Sequence, residues 1–225
     1  MILRKNNLWF VVMLLLAIAF TGCEKNDIDE AGSFNIKVVN AAPGSAEQSF
    51  TLAGNKLISA GLAFTESSSY INTPSGKRLV EEFRDANTNT LTANGELWTA
   101  NGVSFTVYLA GEGSSLRVKS FEDDLSAPNN GRVKIKFIHL SDGAPSDINI
   151  KDGNDDNLIT NISRNIQSGY KFVAPGTLSV RIYGTASRRN LANFDVNDLQ
   201  AGKIYTLYLT GSDDSNLQLN KVLHN

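Results

Sequence analysis

The sequence predicts an all-β protein: two tandem immunoglobulin-like antiparallel β-sandwich domains behind a cleaved N-terminal leader. Three observations predict it. The first is an internal repeat, in which Gly102-Val-Ser-Phe-Thr-Val-Tyr-Leu-Ala-Gly111 recurs 100 residues later as Gly202-Lys-Ile-Tyr-Thr-Leu-Tyr-Leu-Thr-Gly211, with five of ten positions identical. The second is a period of two: Val103, Phe105, Val107 and Leu109 share one face of an extended segment, and Ser104, Thr106 and Tyr108 share the other. The third is punctuation by turn residues, among them Gly54-Asn55, Gly76, Asp152-Gly153, Gly184 and Gly211, at spacings suited to short antiparallel strands.

The leader occupies residues 1–22. Arg4 and Lys5 supply positive charge, and Leu8 to Phe20 form an apolar run that falls short of the roughly 20 residues a spanning helix needs. A cleaved signal is expected. Cys23, the single cysteine, follows Phe20-Thr21-Gly22, and this tetrapeptide resembles the lipobox of bacterial lipoproteins. That resemblance implies a lipoprotein signal and several acyl chains on Cys23, and more than one chain is what stable anchoring requires. Ordinary cleavage would instead leave an odd free thiol in a secreted protein.

Residues 23–33 read as the acylated cysteine and an acidic flexible tether, whose ten residues from Glu24 to Ser33 reach at most about 35 Å. Its carboxylates Glu24, Asp27, Asp29 and Glu30 discourage packing against anionic lipid. The tract also resembles surface-export signals of some Gram-negative lipoproteins, which implies an outer-membrane, cell-surface location; a merely solvated linker is the alternative. Loss of residues 1–22 would remove two of the 21 basic residues and none of the 23 acidic ones, taking the formal charge from −2 to −4. Mild acidity without a basic cluster argues against nucleic-acid binding.

The repeat sets the domains at 34–125 and 132–225, joined by a Pro- and Gly-bearing linker at 126–131. The offset of 100 pairs Tyr70 with Tyr170, Gly76 with Gly176 and Val80 with Val180, and an offset of 99 pairs Phe34, Ile36 and Val38 with Val133, Ile135 and Phe137. About seven strands per unit are expected. Residues 78–85 contain good helix formers, but their counterpart, Leu178 to Tyr183, is β-branched and aromatic without a helical stripe. Homologous positions share a state, so both are read as strands.

A further likeness rests on Phe137-Ile-His-Leu-Ser-Asp-Gly-Ala-Pro-Ser-Asp-Ile-Asn-Ile150, followed by Tyr170, Ala174-Pro-Gly176 and Val180, with Val39-Asn-Ala-Ala-Pro-Gly44 as the looser first copy. It resembles a domain-of-unknown-function family of bacterial exported and cell-surface lipoproteins. The resemblance implies a tandem β-sandwich lipoprotein and names no activity; adhesion and glycan handling attach to such lipoproteins generally.

The chemistry inventory is thin. His139 could serve as a base beside Ser141 or Ser146 with Asp147 behind it, or could hydrogen-bond loop backbone as Asn40 could in the first unit. No Gly-x-Ser-x-Gly elbow accompanies it, so no enzyme activity is expected, and no cofactor. His224 sits next to a terminus expected to fray. Asp152, Asn154 and Asp156 alternate as a calcium loop begins, but the Gly and Glu that would complete the loop are absent, so a solvated turn is the plainer reading. Asp123-Asp124, Asp213-Asp214 and Arg188-Arg189 read as loop charges.

Ligand-binding candidates are Trp98, Tyr108 and Tyr208, the two tyrosines on outward-leaning positions of paired strands; for Trp98 the alternative is a cap on the first core. The expected partners are the membrane, through the lipid anchor, and an extracellular protein or glycan. Adhesion or protein interaction is the first functional expectation, and a glycan-binding accessory role in outer-membrane uptake is the second.

Overall fold

The computed structural model describes residues 26–129 and 131–225. Cys23 and the leader lie outside the described residues. The first unit contains β1 (Asp27–Asn40), β2 (Gln48–Leu52), β3 (Asn55–Leu62), β4 (Ile71–Lys77), β5 (Leu79–Asp85), β6 (Leu91–Leu97), β7 (Ser104–Ala110) and β8 (Arg117–Glu122). The second contains β9 (Val133–His139), β10 (Asp147–Asp152), β11 (Asn157–Ser163), β12 (Lys171–Val173), β13 (Gly176–Gly184), β14 (Asn190–Leu199), β15 (Ile204–Thr210) and β16 (Gln218–Leu223). Both β5 and β13 are strands, as the repeat required.

Each unit is a sandwich of two four-stranded sheets, with identical strand order in the two copies. The inner sheets run β4-β1-β7-β8 and β12-β9-β15-β16, and the outer sheets β3-β2-β5-β6 and β11-β10-β13-β14. Eight strands therefore replace the expected seven, and the order differs from the ABED/CFG arrangement of constant immunoglobulin domains. The pairing also departs from purely antiparallel sheets: β1 runs parallel to β7, and β9 to β15. Parallel neighbours need a long crossover rather than a hairpin, and here the crossover is the excursion through the outer sheet.

Alternation places Phe34, Ile36, Val38, Phe50, Phe83, Val107 and Leu109 in the first core. Val133, Ile135, Phe137, Ile148, Ile150, Val180, Ile182 and Leu207 fill the second. The register corrects one repeat assignment. Leu52 faces Glu81 while Asp152 faces Val180, so the counterpart of Val180 is Glu81, and Val80 corresponds to Ser179. Across the next pair, Glu81 faces Gly95 and Val180 faces Phe194. A Cβ on Gly95 would stand 3.0 Å from Glu81 Oε2. The long Glu with no side chain opposite and the short Val with a ring opposite are two ways of filling the same space.

The expected flexible tether is largely a strand. Asp27, Ile28 and Asp29 pair with Lys77, Gly76 and Ser75, and Asn26 Oδ1 accepts from the Val80 amide at 2.7 Å. The unpaired edge of β4 offers backbone groups that this segment satisfies. The linker is tied as well, since Lys134 Nζ donates to Ser126 O and Ser126 Oγ.

The two inner sheets pack against each other. All seven residues of β9 and all seven of β15 are buried, because one face of each strand meets its own core and the other meets the neighbouring unit. The apolar part of this interface unites Val39, Ala41, Tyr108, Ala110 and Phe121 with Ile138, Leu140, Tyr208 and Val222. Most members have their own counterpart across the interface, as in an isologous dimer whose subunits have been joined in one chain. Tyr108 and Tyr208 meet with ring centroids 5.6 Å apart.

The Tyr208 hydroxyl is buried without a hydrogen-bond partner, and burial pushes its pKa up. Tyr208→Phe removes an unpaired polar atom and keeps the ring, so it should leave stability unchanged or raise it by up to about 1 kcal/mol. A loss above about 1 kcal/mol in urea unfolding would contradict this placement.

Candidate functional site

Tyr108 and Tyr208, expected on outward faces, are each 0% exposed. They are unavailable to ligand because the face that leaves one sandwich core enters the interface between units. Trp98 is 58% exposed, so it is not a core cap. His139 is buried, and its Nε2 lies 2.8 Å from the Pro145 carbonyl. Burial lowers its pKa, opposed by the Pro145 contact. Ser141 Oγ donates to Gly211 O and accepts from the amides of Gly143 and Ala144, bracing the loop. Asn40 plays the matching part in the first unit, donating to Ser45 Oγ and Leu62 O. Ser146 and Ser163 donate to Asp147. The geometry thus shows His139 bound to loop backbone, with Ser141 and Ser146 engaged elsewhere.

Asp152 Oδ1 accepts from the amides of Asn154 and Asp156, which makes it the cap of the β10–β11 turn. Among the described residues no group of three His, Cys, Asp or Glu side chains is arranged to hold a metal ion. Arg189 pairs with Asp214 at 2.9 Å.

Two polar arrangements emerge only in three dimensions. The first is buried between the units. Asp123, read as a loop charge, receives Lys136 Nζ on Oδ1 at 2.8 Å, and on Oδ2 it receives Thr106 Oγ1 at 2.6 Å and the Tyr70 hydroxyl at 2.9 Å. The same hydroxyl lies 2.7 Å from His224 Nδ1, and His224 Nε2 lies 2.8 Å from Thr206 Oγ1. Tyr70 has one proton, given to Asp123, so it accepts from His224 Nδ1–H and leaves Nε2 to accept from Thr206. His224 is therefore held neutral. Burial pushes its pKa down to about 4 against the pull of Asp123, with Lys136 and Lys37 adding to the fall. Far from fraying, His224 is 6% exposed and its amide donates to Ile204 O. This network is buried in the interface between the two units.

The second arrangement lies open on the outer sheet of the second unit. Strand alternation turns Leu178, Val180 and Ile182 toward the core and Ser179, Arg181 and Tyr183 outward. Pairing with β14 sets Ser179 opposite Asp195 and Arg181 opposite Asn193. Together with Asn190, these side chains line an open groove of about 390 Å³. Ser179 Oγ donates to Asp195 Oδ1 at 2.6 Å, and Asn190 Nδ2 donates to Asn193 Oδ1 at 2.9 Å. The Tyr183 hydroxyl and Arg181 both reach Asp155 Oδ1, at 3.3 and 3.4 Å, and Lys151 Nζ stands 5.1 Å from the Tyr183 ring centre. An aromatic ring is thus held among amide, carboxylate and guanidinium groups. Sequence reasoning passed over Arg181 and Tyr183. Their outward positions were legible in the alternation, but the β14 residues that complete the groove were not.

The fold defines the class: an all-β protein of two fused sandwiches. The chain belongs to the family described as domain of unknown function DUF4397, whose model matches residues 34–149. The match takes in the first unit from Phe34 onward, β9 and the start of β10, including the His139-to-Asp147 motif. No match was found among curated proteins. Similar solved structures include a family 26 carbohydrate-binding module of Eubacterium rectale Amy13K in complex with maltoheptaose, at 11% identity, covering 84% of this chain and 97% of that one, with a TM-score of 0.32. The C-terminal domain of AlgF from P. aeruginosa matches at 14% identity over 42% of this chain and 100% of that one, with a TM-score of 0.30. The fimbrial anchor protein Mfa2 of Porphyromonas gingivalis matches at 9% identity over 85% and 98%, with a TM-score of 0.21. None of the three bears on what the present chain binds.

Proposed function

We propose that this protein is a non-enzymatic binding module held at a bacterial outer surface by acylated Cys23, and that the β13–β14 groove takes a hydroxyl-rich ligand of the oligosaccharide class. The observation that carries the ligand reading is the groove itself. Donors and acceptors from Ser179, Arg181, Asn190, Asn193 and Asp195 surround the half-buried Tyr183 ring, a composition that matches the hydroxyl edges and apolar faces of sugar rings. Of the two expected roles, glycan capture is therefore favoured over protein adhesion, because the lining of the groove is chiefly polar. The anchor rests on the lipobox-like run before Cys23.

Calorimetric titration of the purified protein with a panel of soluble oligosaccharides tests the ligand. Tyr183→Ala should weaken binding at least tenfold, or about 1.4 kcal/mol, while Tyr208→Phe leaves it unchanged. Absence of binding across the panel, or equal binding by Tyr183→Ala, would refute the assignment.

A further inference from the structure

Trp98 and Ile28 are exposed apolar side chains at one end of the first unit, 58% and 38% accessible. They are brought together by pairing rather than by sequence. Leu97 pairs with Leu79, the Thr99 amide donates to Gly76 O at 2.9 Å, and Gly76 in turn pairs with Ile28. The same stretch receives the start of the described chain: the Asn26 amide donates to Arg78 O, and Asn26 Oδ1 accepts from the Val80 amide. Trp98 and Asn26 therefore flank a single four-residue turn of chain, Gly76 to Leu79. Glu24 and Lys25 alone separate Cys23 from Asn26, which limits the two Cα atoms to about 11 Å.

The duplication supplies an internal comparison. Leu97 faces Leu79, and Val196 faces Leu178, so the position matching Trp98 is Asn197, with Asp198 next to it. At this position the unit nearer Cys23 carries an indole and the unit farther from it an amide. Tryptophan favours the membrane–water interface, where its ring is buried and its N–H stays wet.

We infer that the Trp98–Ile28 end of the first unit is a membrane seat, which rests on the bilayer beside acylated Cys23 and fixes the orientation of both sandwiches. The inference depends on the acylation proposed above. The acyl chains supply the affinity, and the seat supplies the orientation. Because β1 holds Asp27 and Asp29 in pairs with Lys77 and Ser75, the sandwich is tied to within three residues of Cys23. Those carboxylates, with exposed Glu30, make a zwitterionic surface the preferred one and an anionic surface the poorer.

Trp98 is the only tryptophan after residue 22, so its fluorescence reports this end alone. The full chain, purified with its lipid and reconstituted in phosphatidylcholine vesicles, should show quenching of Trp98 by lipids brominated near the headgroup and shielding from aqueous iodide. Phosphatidylglycerol should reduce both effects. In a Trp98→Phe, Asn197→Trp protein the relocated indole should remain open to iodide. Mass spectrometry of the N-terminal peptide reads acylation independently. An acylated, vesicle-bound protein whose Trp98 stays open to iodide overturns the seat and leaves the anchor standing, as does equal bromolipid quenching at residue 197. A Cys23 without acyl chains overturns both.

Discussion

Asp123→Asn is expected to destabilise the protein by about 3–5 kcal/mol, because it leaves the Lys136 ammonium without its counter-charge inside the interface. Both side chains of this pair are essentially inaccessible, at 1% and 0%. Lys136 would keep Glu122 O and Gln167 Oε1 as neutral acceptors, which satisfy hydrogen bonding but not charge. Burial already lowers the Lys136 pKa, opposed chiefly by Asp123. Without Asp123 the fall must deepen. A base whose folded pKa lies below its unfolded value binds more protons when unfolded, so the stability of Asp123→Asn should rise with pH through the alkaline range. Adding Lys136→Met should recover most of the loss by removing the orphaned charge. Urea unfolding of the two single variants and the double variant provides the cycle. A loss below about 1 kcal/mol in Asp123→Asn, or no recovery in the double variant, would show that the pair does not hold the interface.

Glu81 should make the protein less stable as pH rises toward 8. Its side chain is 2% exposed in the first sandwich, where Ser120 Oγ donates to Oε1 at 2.6 Å. Burial pushes the carboxyl pKa up from 4.5 to about 7, and the Ser120 hydrogen bond pulls weakly the other way. Here the folded state holds its proton more tightly than the unfolded chain does. The stabilisation is fully present below pH 4.5 and is lost as pH climbs through about 7, an integrated change of about 3 kcal/mol. Glu81→Gln keeps an acceptor for Ser120 and cannot ionise. It should flatten this part of the profile and be the more stable protein at pH 8. Parallel pH profiles of unfolding free energy for the two proteins check this; parallel curves between pH 5 and 8 would exclude a raised pKa at Glu81. Importing the second unit's solution, Glu81→Val with Gly95→Phe, should remove the same slope.

Much of the fold was legible in the chain. Repeat and alternation together assigned strand to residues 79–85 despite their helix-forming composition, because the counterpart at Leu178 to Tyr183 could not form a helical stripe. The repeat arithmetic failed by one residue at Val80. Identity of residue type suggested Val180, but the ladder pairs Glu81 with that position, and a one-residue slip exchanges the faces of a strand. The tether was misread because acidic, Gly-bearing sequence suggests a solvated linker, whereas pairing to an open sheet edge depends on backbone groups that every residue carries.

The site was less legible, and for a different reason. Alternation reports which residues face the core of their own sandwich, and it says nothing about what covers the opposite face. Tyr, Thr, Lys and His can meet water or a polar interface equally well, so Tyr108, Tyr208, Thr106, Thr206, Lys136 and His224 carry no mark of burial. Only the packing of one inner sheet on the other placed them inside. By itself the sequence determined the all-β class, the duplication and the strand assignments, since these follow from local periodicity and turn chemistry. The tertiary structure decided which outward faces are surface: it closed the Tyr108–Tyr208 face and opened the Tyr183 groove, because burial between elements distant in sequence depends on how the two sandwiches meet.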